Sequence, residues 1–195
     1  MGLNTGYHQT KSSIEVELEW VNRSKIDSEA FGFLYKKYHE QIFRYINLRM
    51  NDEEMSFDVT AQVFIKALQN IQKYEFRGLP FSSWLYRIAK SELYQAFRDQ
   101  KAQRTVSIET MHVELFLEDF VEDFSDDYKR ILLASISELK EGDIALIELR
   151  FFEKRSFKEI GEILEIAENT AKVKCFRAVE KLKDLFFMKK ERLHE

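Results

Sequence analysis

The sequence is poor in the residues that interrupt helices. Its 195 residues include one proline and six glycines, too few for the turns that a β-sandwich or barrel repeats. The same scarcity excludes collagen-like and glycine-rich linker character. Hydrophobic residues make up 45% of the chain and charged residues 33%, enough to bury cores beneath a solvated surface. We therefore expect an all-α protein with one large domain or two small ones.

Cysteine and long apolar runs are also scarce. The only cysteine, Cys175, cannot form an internal disulfide, a pattern typical of a reduced intracellular compartment. No stretch free of Asp, Glu, Lys and Arg exceeds ten residues, whereas a membrane-spanning helix needs about 18 apolar residues. The N-terminus has no basic region followed by an apolar run, as a secretory signal would have. We expect a cytoplasmic location.

Residues typical of catalytic and cofactor sites are few. The four histidines are scattered along the chain and none is paired in sequence with the cysteine, so neither a zinc site nor a Cys/His nucleophile is indicated. No Walker or dinucleotide-binding glycine pattern occurs. We predict that the protein is not an enzyme, has no cofactor or metal, and takes no small-molecule substrate.

What the sequence has instead is charge in blocks. The formal net charge is -4, but residues 60–104 carry eight basic residues against three acids, and residues 168–190 carry seven against three. Between them, residues 105–128 contain eight acids and no Lys or Arg. A solvated helix face explains any one block. Two basic modules joined by an acidic connector, however, can engage a polyanion at two places.

Hydrophobic periodicity predicts helices nearly throughout. Residues 1–27 lack this period and are interpreted as a flexible N-terminal segment. Helices are predicted from Asp27 or Ser28 to about Met50, from about residues 56–58 to 71, and from Phe81 to about residue 104. The acidic linker at 105–128 separates this bundle at 28–104 from a second domain at 129–190. In that domain, short helices are predicted at 128–139 and 143–152.

The strongest local pattern is a helix-turn-helix. Ser156 and Glu159 form a capping-box sequence that starts one short helix. After a short turn, a second helix repeats apolar residues at spacings of four, three and four, which predicts one buried face made of Ala171, Cys175, Ala178 and Leu182. The opposite face is basic and partly aromatic. Such a helix fits the DNA major groove, although a helical hairpin with a solvated basic face would give the same pattern.

Aromatic residues and cations are interleaved in the first module. Seven aromatics lie from Tyr74 to Phe97, and four cations lie among or directly after them, at Arg77, Arg87, Lys90 and Arg98. Most such aromatics are expected in the core. Those that remain exposed beside cations suit unpaired bases, since each base stacked on an aromatic ring contributes roughly 1–3 kcal/mol.

Taken together, these segments resemble a known family. The runs 31–46, 58–64 and 81–90 resemble region 2 of the bacterial extracytoplasmic-function (ECF) sigma factors. The stretch from Leu139 to Leu185, with Ser156–Gly161 and Thr170–Ala178, resembles region 4 of the same family. The resemblance implies two helical domains and a subunit that binds core RNA polymerase and directs promoter-specific initiation. A partner anti-sigma factor is implied as well.

The resemblance also implies site residues. Binding of the -35 element by the helix-turn-helix would use Asn169, Thr170, Lys172, Val173, Lys174, Phe176, Arg177 and Lys181. Recognition and melting of the -10 element would use Arg77, Phe81, Ser82, Ser83, Arg87, Lys90, Tyr94 and Arg98. The clamp coiled coil of core RNA polymerase would be bound by Asp58, Gln62 and Phe64, and the flap of the polymerase would be a further point of contact.

Some positions depart from the usual family pattern. In the helix-turn-helix, the common glycine of the turn is Glu165 and the common capping serine is Ala167. Family members also often carry other residues at the positions of Ala61, Gln62, Ser91 and Gln95. Two alternatives to a sigma factor stay open: a regulator that binds operators without polymerase, and a polymerase-binding adaptor that does not melt promoters.

Overall fold

A computed structural model describes residues 11–50, 52–100 and 126–191. Within these ranges all regular structure is helical, which confirms the all-α prediction. The chain divides into two compact units, Met1–Thr105 and Val106–Glu195. Most of the acidic linker lies outside the described residues, so the prediction for that segment remains a prediction.

Four α-helices are described in the first unit. They are α1 (Lys11–Ser24), α2 (Phe31–Met50), α3 (Glu53–Gln69) and α4 (Phe81–Gln100), with 3-10 turns at Ser28–Ala30 and Ile71–Lys73. Asp27 caps the turn that leads into α2, as its side chain accepts from the amide of Glu29. Asp52 caps α3 by accepting from the amide of Met55, so α3 begins a turn earlier than the sequence predicts.

The core of this unit lies between α2, α3 and α4. Each helix turns an apolar stripe inward, and the stripes meet at the fully buried residues Leu34, Ile42, Ile46, Val63, Ala67, Leu85 and Ala89. Two buried tyrosines also pair here, Tyr45 and Tyr86, whose ring centroids lie 4.7 Å apart. The bundle thereby fixes α3 and α4 as rigid supports for whatever their outer faces bind.

The N-terminal segment corrects the sequence prediction. Residues 11–24, interpreted above as part of a flexible segment, form α1, which packs on α2 and α4. Val21 is buried, and Trp20 stacks on Phe33 of α2 at 5.7 Å between ring centroids. The prediction was wrong because one of the inward residues of α1 is an acid, Glu17, which interrupts the hydrophobic period.

The second unit also has four described α-helices. They are α5 (Asp126–Ser137), α6 (Glu141–Ile147), α7 (Phe157–Leu164) and α8 (Glu168–Glu191), and a π-helical turn, Glu148–Phe152, extends α6. α8 packs on each of the other three helices. Its inward face joins a cluster that includes Ile131, Leu132, Ile136, Ile144, Ile147, Ala178, Leu182 and Phe186. Among the described residues, no helix is long and apolar enough to cross a membrane.

Candidate nucleic-acid interface

The helix-turn-helix begins with the predicted capping box. The Ser156 hydroxyl accepts from the backbone amide of Glu159 at 3.2 Å, and the Glu159 carboxylate accepts from the amide of Ser156 at 3.0 Å. Two amides that would lack partners at a helix start are satisfied in this way. Glu159 also pairs with the buried guanidinium of Arg155 at 3.1 Å. The start of α7 is therefore fixed by a charged contact as well as by the cap.

The turn between α7 and α8 places two backbone demands on the sequence. Glu165 adopts the left-handed conformation with φ 58°, which costs about 1 kcal/mol for a residue other than glycine. Gly161 lies so close to the turn that a Cβ there would stand 2.7 Å from the carbonyl oxygen of Ile166. The amide of Ile166 donates to the carbonyl of Gly161 at 2.9 Å. The turn thus needs glycine at 161 and tolerates glutamate at 165.

α8 has the two faces that the sequence predicts. Ala171, Cys175, Ala178 and Leu182 are buried, which confirms the predicted packing face. The opposite face is exposed and carries Asn169, Thr170, Lys172, Val173, Lys174, Phe176 and Arg177. Lys181 is half-buried, and its ammonium lies 3.7 Å from the carboxylate of Asp143. Seven of the eight residues predicted at this surface are therefore accessible together on one helix.

An exposed aromatic stands in the middle of this basic face. The Phe176 side chain is 56% exposed, although solvation of so much apolar surface is unfavourable. Its ring lies 6.1 Å from that of Phe157 on α7, and the guanidinium of Arg150 lies 4.7 Å from the Phe157 ring centroid. Phe176 therefore has a support from the neighbouring helix. Val173, one turn earlier, is also exposed.

The single cysteine lies on the other side of α8. Cys175 is buried, and this burial raises the pKa of its thiol, an effect that the positive charge of Arg150 partly offsets. A protonated, buried thiol is a poor nucleophile and a poor metal ligand. Among the described residues, no group of three His, Cys, Asp or Glu side chains could hold a metal ion. Cys175 thus packs as a small core residue.

In the first unit, the predicted DNA residues separate into two groups. Arg87, Lys90, Tyr94 and Arg98 follow one another at spacings of three and four along α4 and share one side of it. Arg98 is exposed and the other three are half-buried. Arg77 is exposed in the segment before α4, where Gly78 adopts a left-handed φ of 69°. These four cations and one tyrosine lie on the accessible surface.

The other three predicted -10 residues are inside the bundle. Phe81, Ser82 and Ser83 are each about 1% exposed. The first turn of α4 faces the core, where the Phe81 ring packs 5.2 Å from that of Tyr74 and 6.2 Å from that of Tyr38. The prediction that these three residues contact DNA directly is therefore wrong. Serine is typical of a surface position, but these two serines lie in the first turn of α4, which faces the core.

The predicted polymerase residues lie on α3. Asp58 and Gln62 are exposed one turn apart. Phe64 is buried, with its ring 4.9 Å from that of Tyr35 and 6.4 Å from that of Phe31, so its assignment as a direct contact is also corrected. Its position in the hydrophobic period of α3 could have shown this.

Sequence reasoning missed two apolar residues on the same outer face of α3. Phe57 is 48% exposed and Ile65 is 46% exposed, two helical turns apart. The Phe57 ring stacks on Phe43 of α2 at 4.3 Å. Each leaves apolar side-chain area in contact with solvent, which a protein partner could cover. The signal was available, since the apolar positions of α3 are too many for one buried stripe.

Comparison with known proteins places both units. Residues 34–103 match the family model Sigma-70 region 2, and residues 129–182 match Sigma-70, region 4. The chain is 28% identical over 170 residues to the ECF RNA polymerase sigma factor BldN of Streptomyces coelicolor, covering 85% of this chain and 64% of BldN. It is 23% identical over 153 residues to the ECF RNA polymerase sigma factor SigM of Bacillus subtilis, covering 78% of this chain and 93% of SigM.

Solved structures share the fold. CnrH, solved in complex with the cytosolic domain of CnrY, aligns with a TM-score of 0.57 at 19% identity, over 87% of this chain and 96% of CnrH. RpoE of Bartonella quintana, solved with the anti-sigma factor NepR, aligns with a TM-score of 0.56 at 17% identity, over 80% of this chain and 95% of RpoE. The chain belongs to the ECF sigma factors, a group of the sigma-70 family, as its resemblance to regions 2 and 4 predicted.

Proposed function

We propose that this protein is a sigma factor that binds core RNA polymerase and directs it to promoters with -10 and -35 elements. One observation carries the proposal: a single chain pairs sigma region 2 with sigma region 4. A helix-turn-helix alone would suit many DNA-binding proteins, whereas this pairing suits promoter-directed initiation. The protein would act as an initiation factor in the cytoplasm, with no catalytic chemistry or cofactor of its own.

The -35 element would be read by the exposed face of α8. Lys172 and Arg177 can bond guanine edges or phosphates, and Val173 and Phe176 can contact thymine methyl groups. Asn169, Thr170 and Lys174 complete the face, with Lys181 at its far end. Because Phe176 is supported by Phe157, it would meet DNA with little ordering of its side chain.

The -10 element would meet the outer side of α4 and the segment before it. Arg87, Lys90 and Arg98 would hold the phosphates, while Tyr94 offers a ring to an unpaired base. Arg77 would act from the preceding segment. Phe81, Ser82 and Ser83 would act indirectly, by packing the first turn of α4 against the bundle.

The polymerase clamp coiled coil would bind the outer face of α3. Asp58 and Gln62 offer polar contacts there, and Phe57 and Ile65 add an exposed apolar surface beside them. A few buried apolar anchors within a polar rim are typical of protein interfaces. The polymerase flap would be a second point of contact. By analogy with relatives solved in anti-sigma complexes, an anti-sigma factor would be a further partner.

Transcription in vitro tests the proposal. The purified chain is added to core RNA polymerase on fragmented genomic DNA, and transcript starts are sequenced. We expect starts that share a pair of motifs and that require the chain. If polymerase binds the chain without new starts, an adaptor is indicated; if the chain binds duplex DNA without polymerase or starts, an operator-binding regulator is indicated.

A double substitution tests the assignment of α8. Lys172→Ala with Arg177→Ala should abolish -35-dependent starts and leave core binding unchanged. The affinity for DNA falls as salt rises, and the plot of log affinity against log salt should become less steep by about 1 for each phosphate that the variant no longer neutralises. The matched control is Lys129→Ala with Lys140→Ala, which removes the same charge from α5 and the residue before α6. Equal transcription by the two double variants would contradict the assignment.

A further inference from the structure

The N-terminal helix contacts the start of α4 through a buried carboxylate. Glu17 of α1 is 1% exposed, and its Oε2 accepts from the backbone amide of Phe81 at 3.1 Å. Phe81 is the first residue of α4, and the first amides of a helix have no partner within the helix. A carboxylate at this end is also stabilised by the helix dipole. Glu17 therefore acts as a cap for α4, supplied from a different helix.

The second oxygen of the same carboxylate joins α2. Oε1 of Glu17 accepts from the ammonium of Lys37 at 2.5 Å and from the hydroxyl of Tyr38. A buried carboxylate is unfavourable unless its oxygens are hydrogen-bonded and its charge is paired, and Glu17 meets both conditions. One side chain thus ties α1, α2 and α4 together at a single point.

The residue after α1 holds the other end of the segment that precedes α4. The Lys25 ammonium donates to the carbonyl oxygen of Tyr74 at 2.9 Å. The side-chain amide of Gln72 donates in turn to the carbonyl oxygen of Lys25 at 2.5 Å. The chain is thereby fixed at Tyr74, seven residues before the amide that Glu17 holds.

The stretch between these two fixed ends, residues 75–80, is exposed or half-buried throughout. Phe76 is 44% exposed, and Arg77 lies next to it. The left-handed Gly78 bends the backbone there. This exposed loop thus presents an aromatic ring and a cation side by side, the combination that binds unpaired bases.

We propose that Glu17 and Lys25 are positioning residues for the -10 element. They hold the two ends of loop 75–80, so that Phe76 and Arg77 are already in place when promoter DNA opens. The proposal rests on the proposed sigma function. A loop ordered before binding loses less conformational entropy on contact with DNA. α1, which carries none of the predicted DNA residues, would thereby contribute to promoter opening.

Two substitutions with matched controls test the proposal. Glu17→Gln keeps the volume of the side chain and removes its charge and one acceptor; its control is Glu19→Gln on the exposed side of α1. Lys25→Met removes the donor and keeps the apolar stem; its control is Lys36→Met on α2. Lys25→Arg, which retains a donor for the Tyr74 carbonyl, should restore wild-type behaviour.

Two measurements are made on each variant. The first is hydrogen exchange of the peptide that covers residues 75–83 in the free chain. The second is the affinity of holoenzyme for the single non-template -10 strand of a promoter mapped by transcription, with core affinity measured in parallel. For Glu17→Gln and Lys25→Met we expect the hydrogen-exchange rate of this peptide to rise about tenfold. We expect the dissociation constant for the -10 strand to rise by the same factor, which is the effect of losing one charge-assisted hydrogen bond. The affinity for core RNA polymerase should stay unchanged.

Several results would overturn the proposal. One is wild-type exchange and strand affinity in both variants. Another is an equal loss of core binding and strand binding, because a merely structural role would weaken both. If Glu17→Gln does not fold, Lys25→Met and Lys25→Arg decide alone. If wild-type holoenzyme binds no promoter strand, the proposed sigma function has failed, and the positioning role fails with it. If wild-type holoenzyme binds the strand and both variants bind it equally well, the positioning role alone has failed.

Discussion

The ring of Phe157 lies 6.1 Å from the ring of Phe176, and these two residues belong to the two helices of the helix-turn-helix. Phe176 is exposed on the predicted DNA face, whereas Phe157 is half-buried behind it. Phe157 in turn carries the guanidinium of Arg150 on its face. The orientation of a residue that would touch DNA is thus set by one that would not.

The first prediction follows from this pair. Phe157→Ala should weaken binding of a -35 duplex by holoenzyme about threefold to tenfold, because an aromatic pair contributes roughly 0.5–1.5 kcal/mol beyond its burial. Fluorescence anisotropy at fixed salt measures the change. Phe187→Ala, which removes a ring from the far end of α8, is the control and should bind as wild type. Equal affinities for the two variants would show that Phe176 needs no support.

The second prediction concerns the turn of the helix-turn-helix. Gly161→Ala should lower the free energy of unfolding by roughly 1–3 kcal/mol, since its Cβ would meet backbone atoms that cannot move without opening the turn. Gly142→Ala is the matched control, because nothing lies within 4 Å of a Cβ at 142. That substitution lies within α6 and should stabilise by about 0.5–1 kcal/mol. Urea unfolding of the full chain distinguishes the opposite signs.

The third prediction concerns the left-handed residue of the same turn. Glu165→Gly should raise the free energy of unfolding by about 0.5–1 kcal/mol, as glycine adopts a φ of 58° without steric strain. The same substitution at Glu180, an exposed residue within α8, should lower stability by about 1 kcal/mol. The midpoint of thermal unfolding should therefore rise for Glu165→Gly and fall for Glu180→Gly. A loss of stability at both positions would contradict the strain at Glu165.

The fourth prediction concerns pH. Burial raises the pKa of the Cys175 thiol above its ordinary value of 9.0, so the folded state favours the protonated form. The resulting stabilisation is complete below pH 9 and is lost as pH rises through the folded-state pKa. The stability of wild type relative to Cys175→Ala should therefore fall as pH rises above 9. Urea unfolding at several pH values measures this difference, and a constant difference would contradict it.

Most of the helices follow from the sequence alone. The apolar spacing of α2, α4 and α8 gives their faces, and the capping box gives the start of α7. In α8, four of the five buried residues could be predicted, since apolar side chains at a spacing of four, three and four leave one face for packing. Where local sequence signals agree with the tertiary fold, hydrophobic periodicity is sufficient to predict a helix and its buried face.

Several sequence-based predictions were wrong because polar residues are buried in the structure. Glu17, Ser82 and Ser83 count as surface in any hydrophobic pattern, yet all three are buried. Glu17 is stabilised by donors from α2 and α4, which lie 20 and 64 positions away in sequence. No local window contains those partners, so α1 and its contact with α4 could not be predicted. The opposite error concerns Phe64, which was predicted to contact polymerase because it belongs to the motif at 58–64. Its place in the hydrophobic period of α3 predicts a buried residue instead.

The burial of Cys175 has a practical consequence for experiments on this protein. The chain has one cysteine, and in the folded state its thiol is both shielded and protonated. A second cysteine introduced at an exposed position, such as Glu75 at the start of loop 75–80, would be the reactive thiol of the native protein. Maleimide fluorophores or nitroxide spin labels could then be attached there selectively, leaving Cys175 in the native sequence.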